Sequence, residues 1–357
     1  MAARLPAHMS ALQIPKFGSN QVLQLNKNAT IPVIKRPDQL IVKVLATSLN
    51  PMDIQIRNGY SAKFIQRMTH KEGTFPLTLG RDFSGQVVEI GSSVRRLQVG
   101  DKVWGTCLPF GTGAHAAYTV ATQNSVAIKP DFLSHVEAAS IPFAGSAAWA
   151  GLVGRAKISP TKSSRKKILI LGGSGGIGTI AVQMVKAWGG SVVTTCSSDA
   201  MAFMKSLGAD ITIDYRSANA WTDIENEGKY NAILDLVGES EDKAVHLVAK
   251  RGYYVTLHNP LIQLMEDLGV LKGAIRGSGI LLRKSLRQSW KYGSSYNWFY
   301  PVGNGAALDK LAVLYKDGKI KPVIERKFSF EDIIKAYEVF ETGHARGKTV
   351  ITLSNAD

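Results

Sequence analysis

Lys166-Lys167-Ile168-Leu169-Ile170-Leu171-Gly172-Gly173-Ser174-Gly175-Gly176-Ile177-Gly178 decides how this chain is read. An apolar run of strand length ends in a glycine-rich turn. Beyond it, Ile177, Ile180, Ala181, Met184, Val185 and Trp188 recur at helical spacing. Gly189-Gly190 stops that helix, and Ser191-Val192-Val193-Thr194-Thr195 has the composition of a second strand. The pattern Gly173-x-Gly175-x-x-Gly178 therefore falls at a strand–turn–helix junction. Glycines there let the backbone approach a pyrophosphate, and the helix N-terminus offers free N–H groups. Ser174, Gly176 and Ile177 complete the predicted cradle. A bare glycine spacing carries little information; the strand, helix and second strand around this one predict a dinucleotide-binding unit.

The end of the second strand bears on which dinucleotide. A carboxylate there would bond the ribose hydroxyls and favour NAD. The chain reads Cys196-Ser197-Ser198 instead, so Ser197 and Ser198 offer hydroxyl donors to a 2′-phosphate. Tyr215 and Arg216 follow the next predicted strand, and Arg216 is a candidate charge partner. Asp199 argues the other way. The balance predicts NADPH, with NADH as the alternative.

At 357 residues the chain has room for two domains, each with its own core. No apolar run approaches the roughly 20 residues needed to span a bilayer, and no signal-peptide apolar segment is present. The net charge of +15 favours anionic partners in general. Without a nucleic-acid motif or an aromatic-interleaved basic platform, nucleic acid is not predicted among them. Cys107 and Cys196 are the whole cysteine complement, too few for a structural zinc cluster, and they point to a reducing compartment. The first acidic residue is Asp38, after Arg4, Lys16, Lys27, Lys35 and Arg36. Arg-bearing, acid-free N-termini mark mitochondrial presequences. The fold is expected to begin near Met9, which leaves little chain for a full one.

Up to about residue 140 the chain alternates and turns, with strands expected at Leu40–Ala46, Ser84–Gly91 and Asp101–Gly105. From about 143 to 300, strands at 167–171, 192–195, 211–213, 231–235 and 253–257 alternate with helices. That order predicts an α/β, doubly wound parallel sheet. Helices near 306–316 and 330–342 and a strand at 348–353 close the chain. Residues 268–308 hold no acidic residue but carry Lys272, Arg276, Arg283, Lys284, Arg287 and Lys291 among leucines and aromatics. Such a helix suits an anionic membrane surface. The plainer reading packs it over the cofactor cleft with its charged face in water.

Leu49-Asn50-Pro51-Met52-Asp53, Pro76-Leu77-Thr78-Leu79-Gly80-Arg81-Asp82-Phe83-Ser84-Gly85, Val99-Gly100-Asp101-Lys102-Val103-Trp104, the glycine loop and Leu207-Gly208-Ala209-Asp210 together resemble the medium-chain dehydrogenase/reductase superfamily, in its zinc-independent quinone oxidoreductase branch. The finer resemblance lies in Gly80–Gly85, Met184–Trp188 and Gly343–Ile351. It is to a mitochondrial NAD(P)H oxidoreductase group linked to coenzyme Q metabolism. The resemblance implies a GroES-like, β-rich catalytic domain over 9–142, completed by 301–357, with a Rossmann domain over 143–300 inserted into it. It also implies a homodimer, and a reticulon-type or coenzyme Q biosynthesis partner.

Departures from the superfamily matter as much. Its zinc enzymes carry a Cys near the Asn50 position and a His-Glu pair at Arg81-Asp82. Asn50 and Arg81 are poor zinc ligands, so the expected acceptor is one reducible without a metal: a quinone or an activated alkene. The resemblance implies Asn50 and Tyr60 as donors to a developing oxyanion. Asp53 is implied to orient the site, or to cap a helix. Ser146 would lie near the nicotinamide, or bond its own helix. Arg346, Gly347 and Lys348 would contact the cofactor. His344 reads as a surface residue, and Cys107, with no basic neighbour in sequence, is not expected to be catalytic. The expected reaction is hydride transfer from NADPH to a quinone. The alternatives are a 2-enoyl thioester reductase and a weakly catalytic NADPH-binding scaffold of a mitochondrial membrane complex.

Overall fold

The computed structural model describes residues 5–63, 66, 75–107, 112–238, 240–343 and 345–353. Its N-terminal part comprises β1 (His8–Ile14), β2 (Gln24–Thr30), β3 (Gln39–Ser48), α1 (Pro51–Arg57), β4 (Leu77–Thr78), β5 (Asp82–Ile90), β6 (Lys102–Thr106), β7 (Tyr118–Thr122), β8 (Val126–Ile128), α2 (His135–Ala139) and α3 (Pro142–Trp149). Strands β2, β1 and β4 make a small antiparallel sheet. The spine of the larger one is β3, whose Leu40, Ile41, Val42 and Val44 are buried on both faces. β5 pairs with it so closely that a Cβ on Gly85 would stand 2.0 Å from the Lys43 carbonyl oxygen.

The middle of the chain alternates as expected: β9 (Lys167–Leu171), α4 (Gly176–Ala187), β10 (Ser191–Cys196), α5 (Met201–Ser206), β11 (Ile211–Asp214), α6 (Ala220–Asn226), β12 (Tyr230–Asp235), α7 (Glu241–Ala244), β13 (Val248–Thr256), α8 (Leu261–Leu268), α9 (Val270–Tyr292) and β14 (Ser295–Trp298). The six strands are parallel, in the order β11-β10-β9-β12-β13-β14. Ile168 and Ile170 enter one hydrophobic core, and Leu169 and Leu171 the other, as period-two side chains between two helical layers must. Chain order reverses on either side of β9, the switch point where sheets of this kind open a crevice. β14 is an addition to the expected strands. Its Tyr296 and Trp298 face inward, a four-residue alternation too short to read alone.

The last elements are α10 (Gly305–Lys316), β15 (Ile324–Ser329), α11 (Ile333–Glu341) and β16 (Lys348–Thr352). β16 pairs antiparallel with β3, so the chain end is built into the large sheet of the N-terminal part, in the order β15-β16-β3-β5-β6-β8, with β7 also on β3. This return brings Gly347 against the glycine loop. Among the described residues no helix is long and apolar enough to cross a membrane.

Candidate active site

The glycines of the loop divide by what a side chain would meet. A Cβ on Gly173 would lie 2.0 Å from Thr194 Oγ1, and one on Gly178 would lie 2.4 Å from the Gly172 carbonyl oxygen. Both positions exclude any side chain because backbone and strand pack there. Gly175 differs: a Cβ would meet no atom nearer than 3.9 Å. Its bareness leaves room on the open side of the turn, where α4 begins and its first N–H groups lack partners within the helix. This is a cradle suited to a pyrophosphate. The Ser174 carbonyl oxygen accepts the Gly347 N–H at 2.9 Å, which ties the start of β16 to the cradle.

A cleft of about 530 Å³ runs from this cradle. Gly175, Gly176, Ile177 and Gly178 form one wall, with Gly347 and Lys348 beside them. Asn50, Met52 and Tyr60 close it from the N-terminal part, Phe143 and Ala144 from α3, and Leu236, Val237 and Leu257 from the ends of β12 and β13. Ile262, Tyr300 and Phe340 complete a mostly apolar lining. The Asp235 carboxylate shapes the β12 end: Oδ1 accepts the N–H groups of Val237 and Gly238, and Oδ2 accepts the Tyr254 hydroxyl at 2.6 Å.

Behind Asn50 lies a sealed polar network. Asp82 is fully buried. Its Oδ2 accepts from Ser48 Oγ at 2.6 Å, Asn50 Nδ2 at 2.9 Å and Lys348 Nζ at 3.1 Å, and its Oδ1 accepts the Phe143 N–H at 2.6 Å. The Lys348 ammonium also donates to Asn50 Oδ1 at 2.5 Å and to the Leu49 carbonyl at 2.9 Å. The Asn50 amide is thus held at both ends, and one of its N–H bonds remains for a ligand. His115 completes the layer beneath. Its Nε2 faces the Ser48 carbonyl at 3.4 Å and its Nδ1 the Tyr337 hydroxyl at 3.1 Å. Burial holds its pKa down to about 3, so the ring is neutral.

Several expected roles change. Lys348, expected to contact the cofactor, lines the cleft beside Gly347, and its ammonium donates to Leu49, Asn50 and Asp82. Asp53 is the helix cap of its two readings. Its Oδ2 accepts the Asn50 N–H at 2.8 Å, and the side chain is buried behind the cleft wall rather than in it. Burial pushes its pKa up to about 7, with the Arg81 charge opposing. The Ser146 hydroxyl is buried without a hydrogen-bond partner, so the bond to its own helix is not made; Phe143 and Ala144, a turn earlier, line the cleft. The Arg346 guanidinium bonds the Asp199 carboxylate, which removes the free negative charge at the end of β10. There Ser197 is buried and Ser198 exposed, and Arg216 lies over the exposed Tyr215 ring and bonds its hydroxyl at 3.2 Å. Tyr60 is half-buried in the cleft wall as expected, its pKa raised by burial and then by Glu266. The Cys107 thiol is buried, donates to the Gly80 carbonyl and is pushed up to about 11. His344 lies outside the described residues.

Sequence reasoning missed Tyr300 and Asn259, which bond each other at the cleft wall opposite Tyr60. It also missed His115. Nothing local marks them, since each gains its place from a partner far along the chain. Among the described residues, no group of three or more His, Cys, Asp or Glu is arranged to hold a metal ion.

A parallel dinucleotide sheet and a β-rich sheet that the chain end completes, facing each other across this cleft, define a medium-chain dehydrogenase/reductase. Residues 36–131 match the alcohol dehydrogenase GroES-like domain, and residues 207–351 match the family described as zinc-binding dehydrogenase. The protein "NAD(P)H oxidoreductase RTN4IP1, mitochondrial" of Danio rerio is 40% identical, over 97% of this chain and 91% of its own. The "2-methylene-furan-3-one reductase" of Solanum lycopersicum is 35% identical, over 97% and 80%. The solved structure of the quinone oxidoreductase from Coxiella burnetii superposes with a TM-score of 0.79 at 31% identity, over 97% and 99%. The chain belongs to the family of NAD(P)H oxidoreductases that includes the RTN4IP1 proteins.

Proposed function

We propose that the chain is an NADPH-dependent quinone reductase that needs no metal. One observation carries this reading: the glycine cradle opens directly into an apolar cleft wide enough for a flat ring, walled by Met52, Tyr60, Phe143, Tyr300 and Phe340. Gly175 and the start of α4 would hold the pyrophosphate. Ser198 and Arg216 would meet the 2′-phosphate, with Asp199 neutralised by Arg346. When bound, NADPH supplies the hydride.

The protein's own part is geometry and electrostatics. The apolar walls exclude water and stack an acceptor ring. Asn50, clamped by Asp82 and Lys348, presents an N–H to the oxygen that gains charge, and Tyr60 offers a second donor. The Lys348 ammonium lies between Asn50 and Asp82, at two of the positions where the zinc enzymes carry metal ligands. This supports a metal-free reading. The name of the zebrafish relative supports a mitochondrial address, and the proposed acceptor chemistry suggests a link to quinone metabolism there.

The name of the tomato relative favours one second reading, reduction of an activated alkene, for which Tyr60 would supply the proton. Anaerobic NADPH oxidation with a short-chain ubiquinone and an enone, side by side, tests the choice. Faster quinone turnover supports the first reading; turnover of the enone alone replaces it with the second.

A further inference from the structure

The long helix α9 turns an apolar stripe to water as well as charge. Its Leu271, Ile275, Leu282, Leu286 and Trp290 are each at least 59% exposed, and Trp290 is 90% exposed. At 100° per residue these five fall within an arc of about 100°, one stripe along the helix. Lys272, Arg276, Arg283, Arg287 and Lys291 are exposed too and run along one flank of it. Lys284 is the exception, held inward by Glu241 at 2.7 Å. The helix's other side is fully used. A Cβ on Gly273 would lie 2.4 Å from the Leu264 carbonyl oxygen, and one on Gly277 would lie 2.5 Å from Leu261 Cδ1, so α8 and α9 are pressed into one tight hairpin. Ser285 and Gln288 bond Tyr296, Val245 and Ser294. The apolar stripe is what is left over, an exposed face beside the solvated charged one that the sequence predicts.

We propose that this face of α9 docks on an anionic lipid bilayer, apolar stripe inserted at the headgroup boundary and basic flank on the lipid phosphates. Charge selects the occupant. No acidic residue lies between Leu268 and Leu308. A second copy of this chain packed about a two-fold axis would set the same basic flank against itself, whereas an anionic surface complements it. A helix that is apolar on one side, basic beside it and ends in an exposed tryptophan has the make-up of an interfacial helix. Ile262 of α8 lines the cleft, so the docked helix and the cleft wall share one rigid hairpin. Delivery of a lipid-soluble acceptor from the bilayer to the cleft then follows; that step alone rests on the quinone reading.

The test is flotation of the whole protein with vesicles of phosphatidylcholine, with and without phosphatidylglycerol, at low and high salt. The wild type should bind the anionic vesicles, bind neutral ones at least tenfold less, and release in high salt. The variant Leu282→Ser/Leu286→Ser/Trp290→Ser should lose anionic binding at least tenfold, and Arg276→Gln/Arg283→Gln/Arg287→Gln should do the same. Both should keep wild-type turnover of a water-soluble quinone, which shows that they fold. No binding to anionic vesicles at low salt overturns the proposal, as does equal binding to neutral ones. A wild-type dimer that the serine variant converts to monomer overturns it as well, by giving the face to a second copy. Turnover of the water-soluble quinone reports the quinone reading separately, so its failure is not confused with failure to dock.

Discussion

The Lys348 ammonium lies 3.1 Å from Asp82 Oδ2, with both side chains sealed from solvent. The two residues are 266 positions apart and join the end of the chain to β5 behind the cleft. A buried pair of this kind matters most when one partner is lost, because the other is left as an uncompensated charge. Lys348→Met should therefore lower stability by about 3–5 kcal/mol. Lys348→Met/Asp82→Asn should recover a large part of that loss. Denaturant unfolding of the three proteins checks both. The double variant should still turn over more slowly than wild type, since Asn50 loses its clamp.

Gly175 and Gly178 should fail in different ways. Gly175→Ala leaves the fold intact, because the new methyl has open space, but it fills the approach to the pyrophosphate. We expect unchanged thermal stability and at least tenfold weaker NADPH binding by calorimetry. Gly178→Ala drives a methyl into the Gly172 carbonyl, so it should unfold the loop and lower the melting temperature.

Arg216 lies exposed over the Tyr215 ring, and the proposed reading gives it the 2′-phosphate. Arg216→Ala should weaken NADPH by about 1.5–3 kcal/mol, the range for a hydrogen bond to a charged group, and leave NADH unchanged. Equal losses for the two cofactors would remove the arginine from that role.

Acid lability follows from the buried titratable groups. Burial holds His115 down to about 3 and His135 to about 4, against 6.5 when unfolded. Between those values the unfolded chain binds the extra protons, so both histidines cost stability as pH falls below about 6.5. Asp53 works in the opposite sense. Its pKa, raised from 3.8 to about 7, lets the folded state bind the extra proton, so its contribution improves as pH falls from 7 toward 4. Two groups against one leave stability falling as pH drops from 6 to 4.5. Asp53→Asn should steepen that slope. Melting temperatures across the range check the sign.

Legibility followed sequence distance. The run Lys167–Leu171 and the helix after it announced the parallel sheet, because period and glycine punctuation are local. Four residues of β14 were not legible, because a short aromatic alternation becomes a strand only when β13 lies beside it. Within the site, the cradle was readable and the network was not. Lys348 looked like a cofactor contact from its neighbour Gly347, and only the pairing of β16 with β3 turns its ammonium to Asp82. Asp53 sat three residues after Asn50, a spacing that suits a cap as well as a catalytic pair, and burial decided for the cap. In α9, composition showed charge and leucine, but only packing against α8 fixed which apolar residues face water beside the charges.

Metal dependence tests the central claim most directly. Protein whose metal content has been measured should be assayed for anaerobic NADPH oxidation by a short-chain ubiquinone, with and without a strong chelator. Steady turnover is expected at far less than one metal ion per chain, with no effect of the chelator. Activity that rises and falls with bound zinc would contradict it.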